Sequence, residues 1–309
     1  MPTSRMAPVS PKRAGDAVSE VIDVVVRFHD LTRISELKRC VFSLVGQSHR
    51  PIRIILAMQR VSATGIETVK SSLAPLLADH PTMHLSVVYW EHSEPADARS
   101  VLLNLGVGVA QGRYLGFLDY DDVMYPEAYA TLTDRLRSTG AAIAFASVRV
   151  MRLVVHESYL WTEQRVVPNF SGRDLADLFR HNFCPLHSFL IDRERVPAGA
   201  LTFDTSLAME EDYDVLLRIC AQCPSDFALI GTEIGDYYYK TDGSNTVPIE
   251  GGVKLEGLGR YELVRAAINR RKNEILVAPD VQRALGFALP DETATIAQIV
   301  ARLPAPAKP

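Results

Sequence analysis

A chain of 309 residues with 47% hydrophobic and 23% charged content can hold one large α/β domain, or one domain with an appendage, and is not composed like a disordered protein. Its formal net charge of -4 gives no electrostatic reason to expect nucleic acid as a partner. Residues 1–20 lack the apolar core of a signal peptide and no run approaches the ~20 apolar residues of a membrane span, so a cytoplasmic protein with a loose N-terminal tail is expected.

Val21–Asp30 is a β-branched run that reads as a buried strand. A helical pattern over Ile34–Val45 follows, then a second strand in HRPIRIILAM, with Pro51 at its start where no ladder hydrogen bond is lost. Thr64–Ala78 reads as a helix, Met83–Trp90 as a third strand, and Asp97–Ala110 as a helix with Gly112 just past its end. Tyr114–Leu118 is the fourth strand, and the next helix carries Pro126 near its start and runs to about Ser138. Ala141–Val155 is a further strand and His156–Pro168 an excursion or hairpin. Arg173–Arg180 and Glu211–Ala221 are helical, Asp226–Lys240 makes one or two strands, and the pattern from Gly252 onward is helical again. Strands alternating with helices at this spacing predict a mostly parallel sheet covered on both faces.

The fourth strand runs into Asp119, Asp121 and Asp122. Three carboxylates within four residues repel one another. Either a cation or ligand offsets the repulsion, or the residues form a solvated turn and helix cap. Ligands bind beyond the carboxyl ends of strands in an open parallel sheet, which favours the first reading: a carboxylate pair there can hold Mg2+ or Mn2+ together with phosphate oxygens and water.

A second acidic group opens the helix at Glu211. Asp212 shares a face with Leu216, Ile219 and Cys223, so it is expected to point inward, whereas Glu211 shares the more polar side of Val215, Arg218 and Gln222. An inward carboxylate beside two others resists ionisation and moves towards a general-base range, although the helix N-terminus pulls the other way. His29, His181 and His187 show no metal-ligand spacing, and Cys220 and Cys223 form a single CxxC without the four ligands of a zinc site. Arg270, Arg271 and Lys272 read as a solvated helix face or, as the alternative, an anionic-lipid contact. Tyr159, Trp161 and Phe170 suit either an acceptor groove for sugar rings or core packing.

The order of the first strand, SLVGQSHRPIRIIL, RSVLLNLGVGVAQGRYLGFLDYDD and EEDYDVLLRI resembles the family-2 glycosyltransferases of the inverting, GT-A type, over roughly Val21–Asn245. Its specific elements are Asn104 and Gly106 in one helix, then Gly112, the Leu-Asp-x-Asp-Asp run and the later Glu-Asp pair. The resemblance implies a GT-A-type, Rossmann-like α/β fold, a mostly parallel sheet flanked by helices with a helical C-terminal extension. It divides the chain into a tail (1–20), a nucleotide-sugar-binding half (21–122), an acceptor-binding and catalytic half (123–248) and the extension (249–309).

It further implies metal-dependent, inverting transfer of a sugar from a nucleotide diphosphate to a hydroxyl acceptor, a glycan or lipid-linked glycan, in cell-surface polysaccharide or glycan assembly. By position, Asp119 and Asp121 become the diphosphate and Mn2+ or Mg2+ motif, with Asp121 the direct ligand and Asp122 a supporting group. Asp212 inherits the general-base role, Arg27 and His29 lie in a loop that helps to hold the nucleotide, and Arg99 falls where a base or phosphate contact is expected.

The chain departs from the family after the second strand, where Met58–Ser62 replaces an Asp-Asp-Gly-Ser-like turn and Gln59 offers the nucleobase only an amide. A UDP-sugar is the expected donor, with the base left open. Near Lys240, where relatives often carry His, Asp242 is either a metal contact or part of a turn with Gly243 and Ser244. The rival readings are a non-catalytic nucleotide- or glycan-binding module and a sugar nucleotidyltransferase, which would need a Gly-rich basic loop after the first strand. The apolar side of residues 253–271 (Leu255, Leu258, Tyr261, Val264, Ile268) is expected to pack on the core. A homodimer contact, or peripheral attachment at the inner face of the membrane, is left open.

Overall fold

The structure, a computed structural model, describes residues 20–156, 159–165, 170–240 and 255–305. The expected N-terminal tail, the Asp242 turn and part of the 156–168 excursion therefore lie outside the described residues.

Four parallel strands form the first half of the sheet: β1 (Ile22–Phe28), β2 (Ile52–Gln59), β3 (Met83–Trp90) and β4 (Tyr114–Asp119), in the order β3-β2-β1-β4. They are joined by α1 (Ile34–Val45), α2 (Ala63–Leu77) and α3 (Arg99–Val109), the crossover that parallel strands require. Beyond β4 the order continues through β8 (Phe189–Asp192), β6 (Ile143–Val155), β9 (Ser225–Lys240) and β5 (Val123–Met124), with β7 (Leu160–Arg165) forming a hairpin with β6. β8 enters antiparallel to its neighbours, while the long β6 and β9 run parallel, so the sheet is mostly parallel. Asp226–Lys240 is one continuous strand within β9, its register against β6 shifting at irregularities.

Side chains alternate across the pleat, so β1 feeds two cores. Val24 and Val26 pack with Leu37, Leu44 and Val69 of α1 and α2, and with Leu132 of α4 (Ala128–Thr139). Val25 packs on the other face with Leu102 and Leu103 of α3, and with Leu216 and Ile219 of α6 (Glu211–Gln222). The C-terminal helices α7 (Leu255–Glu274), α8 (Pro279–Ala284) and α9 (Ile296–Arg302) join that second core through Val264, Ile268, Val281, Ile296 and Ile299. Of the apolar side expected to pack on the core, Val264 and Ile268 do so and Tyr261 is exposed, while the side chains of Leu255 and Leu258 lie outside the described residues. Among the described residues no helix is long and apolar enough to cross a membrane. All four cysteines are buried free thiols.

The residues that make the sequence distinctive between β2 and β4 have packing roles. A Cβ on Gly106 would lie 2.4 Å from Val25 Cγ1, so glycine lets α3 approach β1. A Cβ on Gly112 would lie 2.5 Å from the Val21 carbonyl oxygen. The fully buried Asp23 accepts hydrogen bonds from the Gln111 and Gly112 amides and from Arg53, which fixes the entry into β4. Asn104 donates to the Phe203 carbonyl and accepts from its amide, both at 2.8 Å.

Candidate active site

Arg27 and Asp119 are partners across the β1–β4 ladder, at the carboxyl ends of two adjacent parallel strands, where an open sheet presents its ligand crevice. The Arg27 guanidinium donates to both Asp119 carboxylate oxygens at 2.7 Å, and its remaining nitrogen donates to Glu211 Oε1 at 2.8 Å. One planar cation therefore ties the acidic end of β4 to the acidic start of α6, a fork geometry that lysine could not reproduce. Burial would push the Asp119 carboxyl up, but the adjacent guanidinium holds it below the ordinary carboxylate range.

The remaining carboxylates of the 119–122 run have separate partners. Asp121 Oδ2 lies 2.6 Å from Lys240 Nζ, and the same buried ammonium lies 3.0 Å from Glu36 Oε2. Arg39 donates to the Asp121 carbonyl at 2.7 Å. Asp122 is buried, accepts from the Tyr238 amide at 2.8 Å and lies 3.4 Å from His187 Nδ1. The mutual repulsion expected from sequence is thus offset by hydrogen bonds and cations of the protein itself.

The offset is incomplete. Burial, opposed by Lys240 and reinforced by Asp119, raises the Asp121 pKa. Burial with the Asp121 and Asp119 charges raises Asp122 further. Asp119 and Asp121 remain partly accessible at the crevice, with side chains 28% and 22% exposed. The two carboxylates are hard oxygen donors of the kind a divalent cation shared with phosphate oxygens would take, each already facing a protein cation, Arg27 on Asp119 and Lys240 on Asp121. Among the described residues there is no group of three or more protein ligands that would hold a metal alone.

Asp212 is half-buried, with Oδ1 accepting from the Tyr213 amide at 2.7 Å and Asn182 Nδ2 at 3.5 Å. Burial first, and the Glu211 charge second, push its carboxyl up to about 7, against the Tyr213 amide and Arg27. The one-face assignment for α6 needs correction: Glu211 and Asp214 are more buried than Asp212, at 5% and 1% exposure. α6 is enclosed on nearly every side: Glu211, expected on the polar side, is neutralised by Arg27, and the buried Asp214 by Arg218. A helical-wheel argument assumes one wet face, which this helix lacks.

The softer expected contacts divide. Arg99 opens α3, paired with Asp97 at 2.7 Å, and the Glu211 charge contributes to keeping its guanidinium protonated. His29 is exposed, edge-on to Tyr120 at 5.6 Å. The Gln59 amide is buried, donating to the Ala96 carbonyl and accepting from the Ala98 amide, so it shapes the loop before α3 and has no free face for a base. Tyr159 and Trp161 are each 57% exposed, while Phe170 packs edge-on to Tyr237 at 5.7 Å.

His187 was expected to be isolated, yet it lies within the acidic cluster, parallel to the Tyr237 ring. Burial pushes its pKa down to about 4, so it stays neutral near pH 7. Lys240, at the position where relatives often carry His, joins the site on Asp121, and Glu36, Arg39 and Asn182 join it without a local sequence signal. Only their tertiary placement marks them.

A GT-A sheet with acidic groups converging on the crevice beyond β1 and β4 defines a class of group-transfer scaffolds. The chain belongs to glycosyl transferase family 2, whose family model matches residues 24–196, more than half its length. It is 24% identical over 238 residues to the succinoglycan biosynthesis protein ExoO of Rhizobium meliloti (strain 1021), which covers 74% of this chain. The chain spans 63% of that curated relative's length. S. aureus TarS has a similar fold, with a TM-score of 0.56 at 11% identity over 85% of this chain and 42% of that one. TarS 1-349 in complex with UDP-GlcNAc gives 0.54 at 13% identity over 91% and 70%.

Proposed function

We propose that the protein is an inverting glycosyltransferase that moves a sugar from a nucleotide diphosphate, with a UDP-sugar as first candidate, to a hydroxyl of a glycan or lipid-linked glycan in polysaccharide assembly. The observation that carries this is the Asp119–Arg27–Glu211 bridge, which ties the acidic end of β4 to the start of α6, where the half-buried, weakly acidic Asp212 follows Glu211. Family membership, the name of ExoO and the UDP-GlcNAc complex of TarS support it.

Asp212 accepts the proton of the acceptor hydroxyl as that oxygen bonds to the anomeric carbon from the face opposite the diphosphate. The bond between the anomeric carbon and the diphosphate oxygen breaks, and the diphosphate leaves with the electron pair, so one displacement inverts the configuration. Asp119 and Asp121 would hold Mn2+ or Mg2+, which when bound supplies charge neutralisation for the leaving diphosphate. Arg27 orients Asp119 and Glu211, Arg99 and His29 lie at the nucleotide side, and Gln59 acts through the loop it holds. Residues 21–122 serve the donor and 123–248 the acceptor and the base.

Calorimetric titration of UDP, GDP and dTDP, with and without Mn2+, tests the donor site on the wild type and on Asp121→Ala. Metal-dependent binding of one nucleotide that is lost in the variant is expected. Absence of binding under every condition would overturn the proposal in favour of a module without transfer.

A further inference from the structure

The start of α6 is poorly held by its own residues. Glu210 precedes the helix with φ 58°, in the left-handed region that a residue with a Cβ adopts at a cost, and gives no side-chain cap. Asp212 itself has one short hydrogen bond, to the adjacent Tyr213 amide. A base placed to within a fraction of an ångström needs bracing from elsewhere.

The bracing comes from the last turn of α7, which corrects the solvated-face expectation for Arg271 and Lys272. Arg271 donates to Asp204 Oδ2 at 2.6 Å and pairs with the buried Asp214 at 3.3 Å. Lys272 Nζ donates to the Arg180 carbonyl at 2.8 Å and sits 5.1 Å from the centre of the Tyr213 ring. Tyr213 in turn donates from its hydroxyl to the Leu178 carbonyl at 2.7 Å. Both Lys272 contacts fall next to a group that touches Asp212: Tyr213 is its chain neighbour and donates its amide to it, and Arg180 ends α5 (Leu175–Arg180), two residues before Asn182, the other side chain that approaches Asp212. Burial raises the Glu210 carboxyl, and Lys272 is close enough for its charge to oppose that rise. A long ammonium side chain half-removed from water between two carbonyl-bearing helices is costly to place for packing alone.

We propose that Lys272, supported by Arg271, is a positioning residue for Asp212: the C-terminal helix holds the start of α6 and the end of α5 in the relative placement that aims the base. This rests on the reading of Asp212 as the base. Its functional consequence is that the C-terminal extension belongs to the catalytic machinery and is not an accessory packing element.

The test follows UDP release from UDP-GlcNAc, UDP-glucose and UDP-galactose with water or added glycan as acceptor, well below the melting midpoints, alongside UDP binding by calorimetry. Lys272→Met is expected to lower kcat at least tenfold with the donor KM and UDP affinity within twofold of wild type, and Lys272→Arg to restore most of the rate. A folded Lys272→Met with wild-type kcat, or a parallel loss of UDP affinity, would overturn the inference. If Lys272→Met does not fold, Lys272→Gln, which stays polar but is shorter and uncharged and so gives up the reach to the Arg180 carbonyl and the charge over Tyr213, takes its place under the same criteria. Asp212→Asn separates the two ideas: if it releases UDP normally the base assignment falls, whereas an inactive Asp212→Asn beside a fully active Lys272 variant removes only the positioning role.

Discussion

Asp212→Asn combines a kinetic and a thermodynamic expectation that pull in opposite directions. The amide keeps the shape of the carboxylate and can still accept from the Tyr213 amide, but it cannot take a proton, so transfer is expected to fall by about 10²–10⁴-fold with UDP binding intact. In the fold the Asp212 carboxyl rises from its ordinary 3.8 to about 7. A raised acid holds its proton more tightly when folded, so ionising it costs stability as pH climbs from about 4 to about 7, and the cost is constant above that range. The full rise corresponds to about 4 kcal/mol, and solvent screening of a half-buried group reduces it to ~1–2 kcal/mol. Asparagine carries no such cost. The variant is therefore expected to melt about 2–4 °C above wild type at pH 8, with the gap closing near pH 4. Thermal melts across pH, paired with UDP-release rates, measure both effects. A variant that is fully active, or one that melts lower at pH 8, would refute the assignment of a strained, proton-accepting Asp212.

Further perturbations test the surrounding charges and the scaffold. The acid limb of UDP release against pH is expected near 7 in the wild type, since Asp212 must be ionised to act, and to move downward in Glu211→Gln, because the Glu211 charge is among the groups that raise Asp212. An unmoved limb would show that a different group titrates. Arg27→Met strands two buried or partly buried carboxylates and is expected to destabilise by about 3–5 kcal/mol in urea titrations; a loss under 1 kcal/mol on the order-of-magnitude scale of exposed pairs would place the bridge among surface ion pairs. Gly106→Ala forces a methyl to within 2.4 Å of Val25 Cγ1 and is expected to cost about 1–3 kcal/mol by the same measurement. A neutral result would mean that α3 moves away from β1 freely.

Much of the frame was legible because it depends on short-range physics. The boundaries expected for Ile34–Val45 and Met83–Trp90 agree with the observed elements, since an amphipathic period in the first and a short apolar, aromatic-ended run in the second each report a local preference. Asp119–Asp122 could be placed at a crevice because a strand's carboxyl end follows from its direction in the chain. The Glu211 side of α6 was misread as the wet one for a related reason: periodicity tells which residues are apolar, and says nothing about cations brought from α7 or β1 to neutralise the polar side. His187, separate from any motif, could not be recognised beside Asp122 before β8 was laid next to β4.

The sequence by itself determined the strand–helix alternation and the acidic ends of β4 and α6, because each depends on neighbours within a few residues; that Gly106 and Gly112 are demanded by close contacts with Val25 and Val21 only the folded sheet showed. Tertiary structure alone decided which charge answers which. Arg27 on Asp119 and Glu211, Lys240 on Asp121 and Glu36, and Lys272 between Tyr213 and Arg180 join residues far apart in the chain. Coulomb attraction and hydrogen bonding act through distance in space, and only the folded sheet and its helices set those distances.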